Sequence, residues 1–276
     1  MKIFNKVVII GTGLIGGSIG LTLRKKHLAG VVFGLSFHQK NVKLAKKIGA
    51  IDVIGKDLNV VQDADLVILA APVDSIIDIA SKIKGKLKKD CILIDVGSTK
   101  EKIVSELSLK FSNFIGCHPL AGSEKRGVAN LGGDIFNDSV CIITPIKSTN
   151  QKALNKIKLF WTKLGAKVVM ISPKEHDQAL AHTSHLPHAI AFTLINAISD
   201  KFLSLSSNSL RDTTRISGSN VLLWSQIFLT NRDNLLSAIF SFRKQFAALE
   251  LALKNRDKKL LTKIIKNANK KRERLG

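Results

Sequence analysis

Apolar residues in the first 171 positions come in short unbroken runs separated by amphipathic ones. KVVIIGTG, VVFGLS, ADLVILAAPV, CILIDVGS, NFIGCHPL, VCIITPI and AKVVMIS lack polar alternation, as expected of strands covered on both faces. Between them LIGGSIGLTLRKKHL, NVKLAKKIG, SIIDIASKIKGKL, KEKIVSELSLKF and KALNKIKLFWTKLG carry helical periodicity. Strand and helix alternating at this pitch predict βαβ units in an α/β, doubly wound, mostly parallel sheet. After Ser172 the strand-like runs stop and long amphipathic stretches follow. Ser172 followed by Pro173 reads as an N-cap with proline at the first helical position. The pattern therefore predicts two domains, 1–171 and 172–276, the second all-helical.

Composition narrows the class. Of 276 residues 45% are hydrophobic, enough for a buried core, and no apolar run reaches the ~20 residues of a membrane span. The first apolar segment is too short for a signal peptide and runs straight into glycine. Cys91, Cys117 and Cys141 are odd in number and form no C-x-x-C pair, which points to reduced thiols in a cytoplasmic protein. The net charge of +22 suggests nucleic acid, but its distribution argues against that partner. Residues 172–276 hold 17 Lys+Arg against 8 Asp+Glu, and the stretch from Lys254 onward accounts for 10 and 2 of these. With no tyrosine and 5% aromatics, stacking platforms for single strands are also scarce. The excess reads as a lysine-rich solvated surface.

GTGLIGGS places Gly11, Gly13 and Gly16 in G-x-G-x-x-G spacing between a predicted strand and a predicted helix. The first glycine permits a tight turn, the second lets a pyrophosphate approach the backbone, and the third lets helix and strand pack closely. At the end of the second strand, where an acid would grip a ribose 2′-hydroxyl, stands Ser36, with Lys40 and Lys43 close behind. A missing carboxylate and nearby cations favour a 2′-phosphate, so NADP is expected over NAD. The cofactor-binding candidates are Gly11, Gly13, Leu14, Ile15 and Gly16 of the turn, Ser36 and Lys40 after the second strand, and Pro72 ending the third.

Ligands in such sheets sit beyond the carboxyl ends of the strands. Two of those ends carry useful chemistry, Ser98 in LIDVGSTK and His118 in FIGCHPL. A histidine there, with a pKa near neutral, is suited to take a proton from a hydroxyl. His182, His185 and His188 crowd a proline-interrupted helix with no carboxylate evident on their face. Lining a substrate cleft suits His185 and His188 better than binding a metal, and no metal is expected. Nine Arg stand against 34 Lys, which singles out Arg211 and Arg215 in RDTTRIS. A guanidinium offers a carboxylate a bidentate fork that lysine lacks; pairing of a surface arginine with Asp212 is the plainer alternative.

Together GTGLIGGS, DVGSTK, GCHPLAGSEKRGV, HDQALAHTSHLPHAIA and LRDTTRISGSNVLLWSQIFLTN resemble the prephenate/arogenate dehydrogenases of tyrosine biosynthesis, over residues 6 to about 250. The resemblance implies a Rossmann-type domain followed by a helical dimerisation domain, a homodimer, and NAD(P)-dependent oxidative decarboxylation of a cyclohexadienol to 4-hydroxyphenylpyruvate or tyrosine. It implies His118 as the catalytic histidine on the ring hydroxyl and Ser98 as the serine that positions both. Arg215 matches the arginine holding a substrate carboxylate, and His188 and His185 match cleft residues. With the glycine turn starting at residue 11 and the helical part ending the chain, no fused mutase or regulatory domain is expected. The alternatives are a β-hydroxyacid or imine reductase, which shares the glycine turn, and a non-catalytic protein binding cofactor and polyanion.

Overall fold

The computed structural model describes residues 2–121 and 135–275. The loop motif GSEKRGV, residues 122–128, lies outside them. Eight strands form one sheet: β1 (Phe4–Ile10), β2 (Ala29–Leu35), β3 (Val53–Ile54), β4 (Leu66–Leu69), β5 (Ile92–Asp95), β6 (Phe114–Pro119), β7 (Val140–Thr144) and β8 (Lys167–Met170). Their spatial order is β3-β2-β1-β4-β5-β6-β7-β8. The first six run parallel, β7 is antiparallel to β6, and β8 is parallel to β7. Chain direction along the sheet reverses between β1 and β4, the switch point where such sheets bind nucleotides.

Helices α1 (Leu14–Lys25), α2 (Gln39–Lys47), α3 (Val73–Ile83), α4 (Glu101–Leu107) and α5 (Gln151–Leu164) cover the sheet. Most of the apolar runs become strands capped on both faces; the edge strand β8 is the exception, with Val169 and Met170 exposed. Ile9, Ile68, Ile94 and Ile115 point into one core with Trp161 of α5, while Val8, Val67 and Leu93 point into another with Ile76 and Ile79 of α3. The unbroken apolar pattern thus follows from two cores sharing one sheet. Two features escaped the periodicity: the two-residue β3, and a 3₁₀ turn at Leu58–Val61 capped by Asp57, which accepts from the Asn59 amide at 2.7 Å. Both are too short to show a period. The thiols of Cys91, Cys117 and Cys141 are free and buried, and burial pushes those of Cys91 and Cys117 up to about 12.

Helix α6 (Pro173–Leu180) opens the second half. Ser172 Oγ accepts from the Glu175 amide at 3.2 Å and the Glu175 carboxylate accepts from the Ser172 amide at 2.9 Å, a reciprocal cap reinforced by Pro173. One π-helical turn, Ala181–His185, joins α6 to α7 (Leu186–Asn196). Pro187 has no N–H and clashes with the carbonyl four residues back, so the chain widens there rather than breaking. Then come α8 (Asn208–Thr214), a 3₁₀ turn at Arg215–Gly218, α9 (Val221–Thr230), α10 (Arg232–Lys254) and α11 (Lys258–Arg272). Asn231, at φ −112° and ψ 31°, divides what reads in the sequence as one long amphipathic stretch into α9 and α10. No helix of the described residues is long and apolar enough to cross a membrane.

Candidate active site

The glycine turn lies between β1 and α1, and each glycine there has a different reason. Gly11 has φ +105°, and a Cβ on it would lie 2.2 Å from the Ala70 carbonyl oxygen. A Cβ on Gly16 would meet the Gly11 carbonyl oxygen at 2.0 Å. Gly13 is the contrast, since a Cβ there would touch nothing within 4 Å. Two glycines are demanded by the fold and the third keeps open space beside the start of α1. Gly13 caps α1 without any side-chain bond, so the first amides of a twelve-residue helix face that opening unclaimed by a side chain. This cradle fits a pyrophosphate. Leu14 and Ile15 begin α1, and Pro72, exposed, stands as the N-cap of α3 across the switch point. Ser36 follows β2 directly and its hydroxyl accepts from the His38 amide at 3.2 Å; Lys40 is exposed in the first turn of α2.

Beyond the ends of β5 and β6 the chain assembles a chain of buried polar groups. His118 is the last residue but one of β6. Its Nδ1 lies 2.8 Å from His176 Nε2, and His176 Nδ1 lies 2.7 Å from Asp177 Oδ1. Asp177 in turn accepts from the amides of Lys100 at 2.7 Å and Glu101 at 2.9 Å, which begin α4. The Lys100 side chain, fully buried, pairs with Asp95 at the end of β5. The first turn of α6 therefore docks onto the first turn of α4 and presents His176 to the strand end. Position along the sheet puts the end of β6 three strands from the end of β1, about 14 Å away at ordinary strand spacing.

A second group continues from Asp177 into the helical half. Asn231 Nδ2 donates to the Asp177 carbonyl oxygen at 2.7 Å and lies 3.0 Å from His185 Nδ1. The carbonyl only accepts, so it fixes the amide's orientation and makes His185 Nδ1 an acceptor with Nε2 protonated. His188 Nδ1 faces the Ser184 carbonyl oxygen at 3.0 Å and so donates to it. The His188 ring stacks on Trp224 with centroids 3.4 Å apart, and His185 meets the same indole edge-on at 6.0 Å. The turn bearing Arg215 packs on α7, which bears His188. Arg215 itself is exposed. Thr99 Oγ1 donates to Thr230 Oγ1 at 3.3 Å, tying the loop that holds Ser98 to α9.

Burial keeps these imidazoles neutral. Desolvation, then the neighbouring His176 and Lys100, push His118 well below its ordinary value, which corrects the near-neutral expectation. A half-buried ring beside a lysine ammonium resists a second positive charge. His176 and His188 are lowered and His185 is lowered to about 4, in each case first by burial.

Of the sequence candidates, His118, His185 and His188 converge here through named intermediaries. Ser98 is half-buried three residues past β5, but the hydrogen bond at the His118 Nδ1 edge is shared with His176. His182 is exposed. Asp177 is linked to His185 through Asn231, whose Nδ2 contacts the Asp177 carbonyl oxygen and His185 Nδ1. Sequence reasoning passed over His176, Asp177, Lys100, Trp224 and Asn231. The available signal was a His-Asp pair in the first turn of a helix whose start Ser172 and Pro173 already marked.

One half offers a turn that fits a dinucleotide's pyrophosphate and both halves supply neutral imidazoles beyond the strand ends, which is the equipment of a nicotinamide-dependent dehydrogenase. Comparison with known proteins is more specific. The sequence model described as "Prephenate dehydrogenase, nucleotide-binding domain" matches residues 19–170, and "Prephenate dehydrogenase, dimerization domain" matches residues 172–267. The cyclohexadienyl dehydrogenase of Zymomonas mobilis is 33% identical, covering 99% of this chain and 96% of its own. The prephenate dehydrogenase of Aquifex aeolicus, solved with hydroxyphenyl propionate and NAD+, superposes with a TM-score of 0.93 at 32% identity over 99% of this chain and 98% of its own. Synechocystis arogenate dehydrogenase superposes at 0.86 with 28% identity, over 98% and 100% of the two chains. The chain belongs to the prephenate dehydrogenase family. That membership displaces the reductase and binding-protein readings.

Proposed function

We propose that His118 is the base of an oxidative decarboxylation whose substrate is prephenate or arogenate. The observation that carries this is a neutral imidazole at the mouth of β6, oriented through its Nδ1 edge beside the histidine–tryptophan cluster. A bound nicotinamide supplies the hydride acceptor. The proton of the ring hydroxyl goes to His118 as the hydride leaves the carbon bearing it, forming a carbonyl. The bond to the ring carboxylate then breaks, its electron pair enters the ring, carbon dioxide departs, and protonation of the oxygen gives the phenol. Aromatisation makes the sequence downhill, so the protein's work is to orient the substrate and accept a proton. Ser98, at the half-buried loop after β5, is read as a second contact to the hydroxyl. Arg215 is read as the partner of a substrate carboxylate, and His185 and His188 as the cleft wall.

The cofactor residues are read as Gly11, Gly13, Leu14, Ile15, Gly16, Ser36, Lys40 and Pro72, in a nucleotide domain spanning 1–171 that meets a substrate and dimerisation domain spanning 172–276. NADP is favoured because no acid follows β2, where Ser36 and the exposed Lys40 stand instead. A homodimer in the cytoplasm is the proposed assembly, supported by the exposed apolar face of α9 and α10. Turnover with prephenate and arogenate, each crossed with NAD and NADP, tests the reading through the absorbance of the reduced nicotinamide. Growth of that band with a cyclohexadienol and none with simple hydroxyacids is expected; flat traces in all four combinations would overturn it.

A further inference from the structure

We infer that His176, backed by Asp177, is a positioning residue that holds His118 in its Nδ1–H tautomer and leaves a bare Nε2 lone pair for the substrate hydroxyl. This rests on the reading of His118 as the base and adds how that base is kept in working form. The Asp177 carboxylate accepts two backbone amides, from Lys100 and Glu101. With both amides donating to it the carboxylate acts as an acceptor, and an ionised carboxylate only accepts. The His176 Nδ1, 2.7 Å from Asp177 Oδ1, therefore carries its proton. Burial keeps His176 neutral, so its Nε2 has no proton and accepts. The atom 2.8 Å from that Nε2 is His118 Nδ1, which must donate. A neutral imidazole has one N–H, so His118 Nε2 is bare.

The same contacts serve the step that follows. When His118 takes the hydroxyl proton it becomes an imidazolium in a half-buried setting already occupied by the Lys100 ammonium. Lys100 is matched by Asp95. The new charge is linked through the His176 ring to the Asp177 carboxylate, the negative group in the relay. The two rings lie 5.1 Å apart at 59°, so this is an edge-directed hydrogen bond rather than a stack. An Asp that fixes a histidine tautomer is known to matter by ~10⁴ in rate in serine proteases. Here a second imidazole is interposed, and the sheet supplies the base while the helical half supplies its orienter.

Selective ¹⁵N-histidine labelling of the full chain reads the tautomer directly, with His118 and His176 assigned from the spectra of His118→Asn and His176→Gln. His118 is expected to show a protonated Nδ1 and a bare Nε2; a protonated Nε2 in the neutral wild type overturns the proposal. In kinetics, His176→Leu should lower kcat by ~10²-fold, the scale of a misplaced reacting group, with substrate KM and cofactor Kd within about twofold. His176→Gln returns an acceptor to the same place and should recover most of that loss. Wild-type kcat in His176→Leu, with His118→Asn inactive, removes the relay and leaves the base standing. Near-wild-type turnover in His118→Asn removes the base itself. Should His176→Leu fail to fold, the wild-type tautomer and the rate of His176→Gln decide the matter.

Discussion

Apolar side chains meet opposite fates in the two halves. In the sheet half they close on themselves: Val7, Val8, Ile9, Leu66, Ile68, Leu69 and Trp161 are all at 0% exposure. In the helical half the buried set shrinks to a few side chains such as Leu180, Ile227 and Leu235, while Val221, Leu222 and Leu229 on α9 are more than 70% exposed and Phe240 and Phe246 on α10 are each 58% exposed. Apolar side chains left this exposed and grouped on neighbouring helices mark a surface suited to contact. The sheet half buries its own apolar core. The helical half, which a dimerization-domain model matches, leaves apolar side chains uncovered within one chain. The proposed active site lies where they meet, with its base on the sheet half and its orienter on the helical one.

Breaking the comparison needs one substitution on each side. Trp161, fully buried and packed edge-on against Phe136 and Phe160 at 5.7 and 5.3 Å, anchors the sheet core. Trp161→Ala should cost about 3–5 kcal/mol in chemical denaturation while the oligomer survives until unfolding. Phe240→Asp should do the reverse, dissociating the dimer in sedimentation with a much smaller loss in the sheet half. If Phe240→Asp stays dimeric, the face of α10 is not the interface.

Acidification probes the junction. His185 is held at about 4 against an ordinary 6.5, so between these values the unfolded chain binds a proton that the native one refuses. Stability is full above about pH 6.5 and falls as pH drops toward 4, by roughly 3 kcal/mol from this group, with His118 and His176 acting in the same direction. The carboxylates Asp63 and Asp65, whose values are lowered, act in a separate window below pH 4. Denaturation midpoints at pH 7, 5.5 and 4.5 check this, and a flat profile would contradict buried neutral imidazoles.

Arg215→Ala should raise substrate KM by ~10–100-fold, the worth of a charge-assisted hydrogen bond, and leave NADP binding unchanged. An unmoved KM would take the carboxylate contact away from this residue. The smallest effect belongs to the hinge between the halves: Ser172→Ala, which removes the cap of α6, should cost about 1 kcal/mol. Because α6 carries His176, a kcat loss larger than that stability change would show that the cap also aims the relay.

Local signals carried most of the sheet half. The G-x-G-x-x-G spacing marked Gly11 and Gly16, whose backbones leave no room for a side chain, and the apolar runs marked seven of the eight strands. The dipeptide Ser172-Pro173 marked the start of α6. The antiparallel setting of β7 was not legible, since an apolar run carries no direction. Nor was the division at Asn231, because amphipathic periodicity continues across it.

What the sequence alone determined is the set of patterns that act over a few residues: turn glycines, caps, apolar period and the histidine at a strand end. Which polar groups meet is set by how the helices pack. His118 and His176 are 58 positions apart and Asn231 is 46 beyond His185, so no window of the chain contains either pair. Their tautomers follow from contacts, and contacts between distant residues exist only once the packing of α6 on α4 has brought the two halves together.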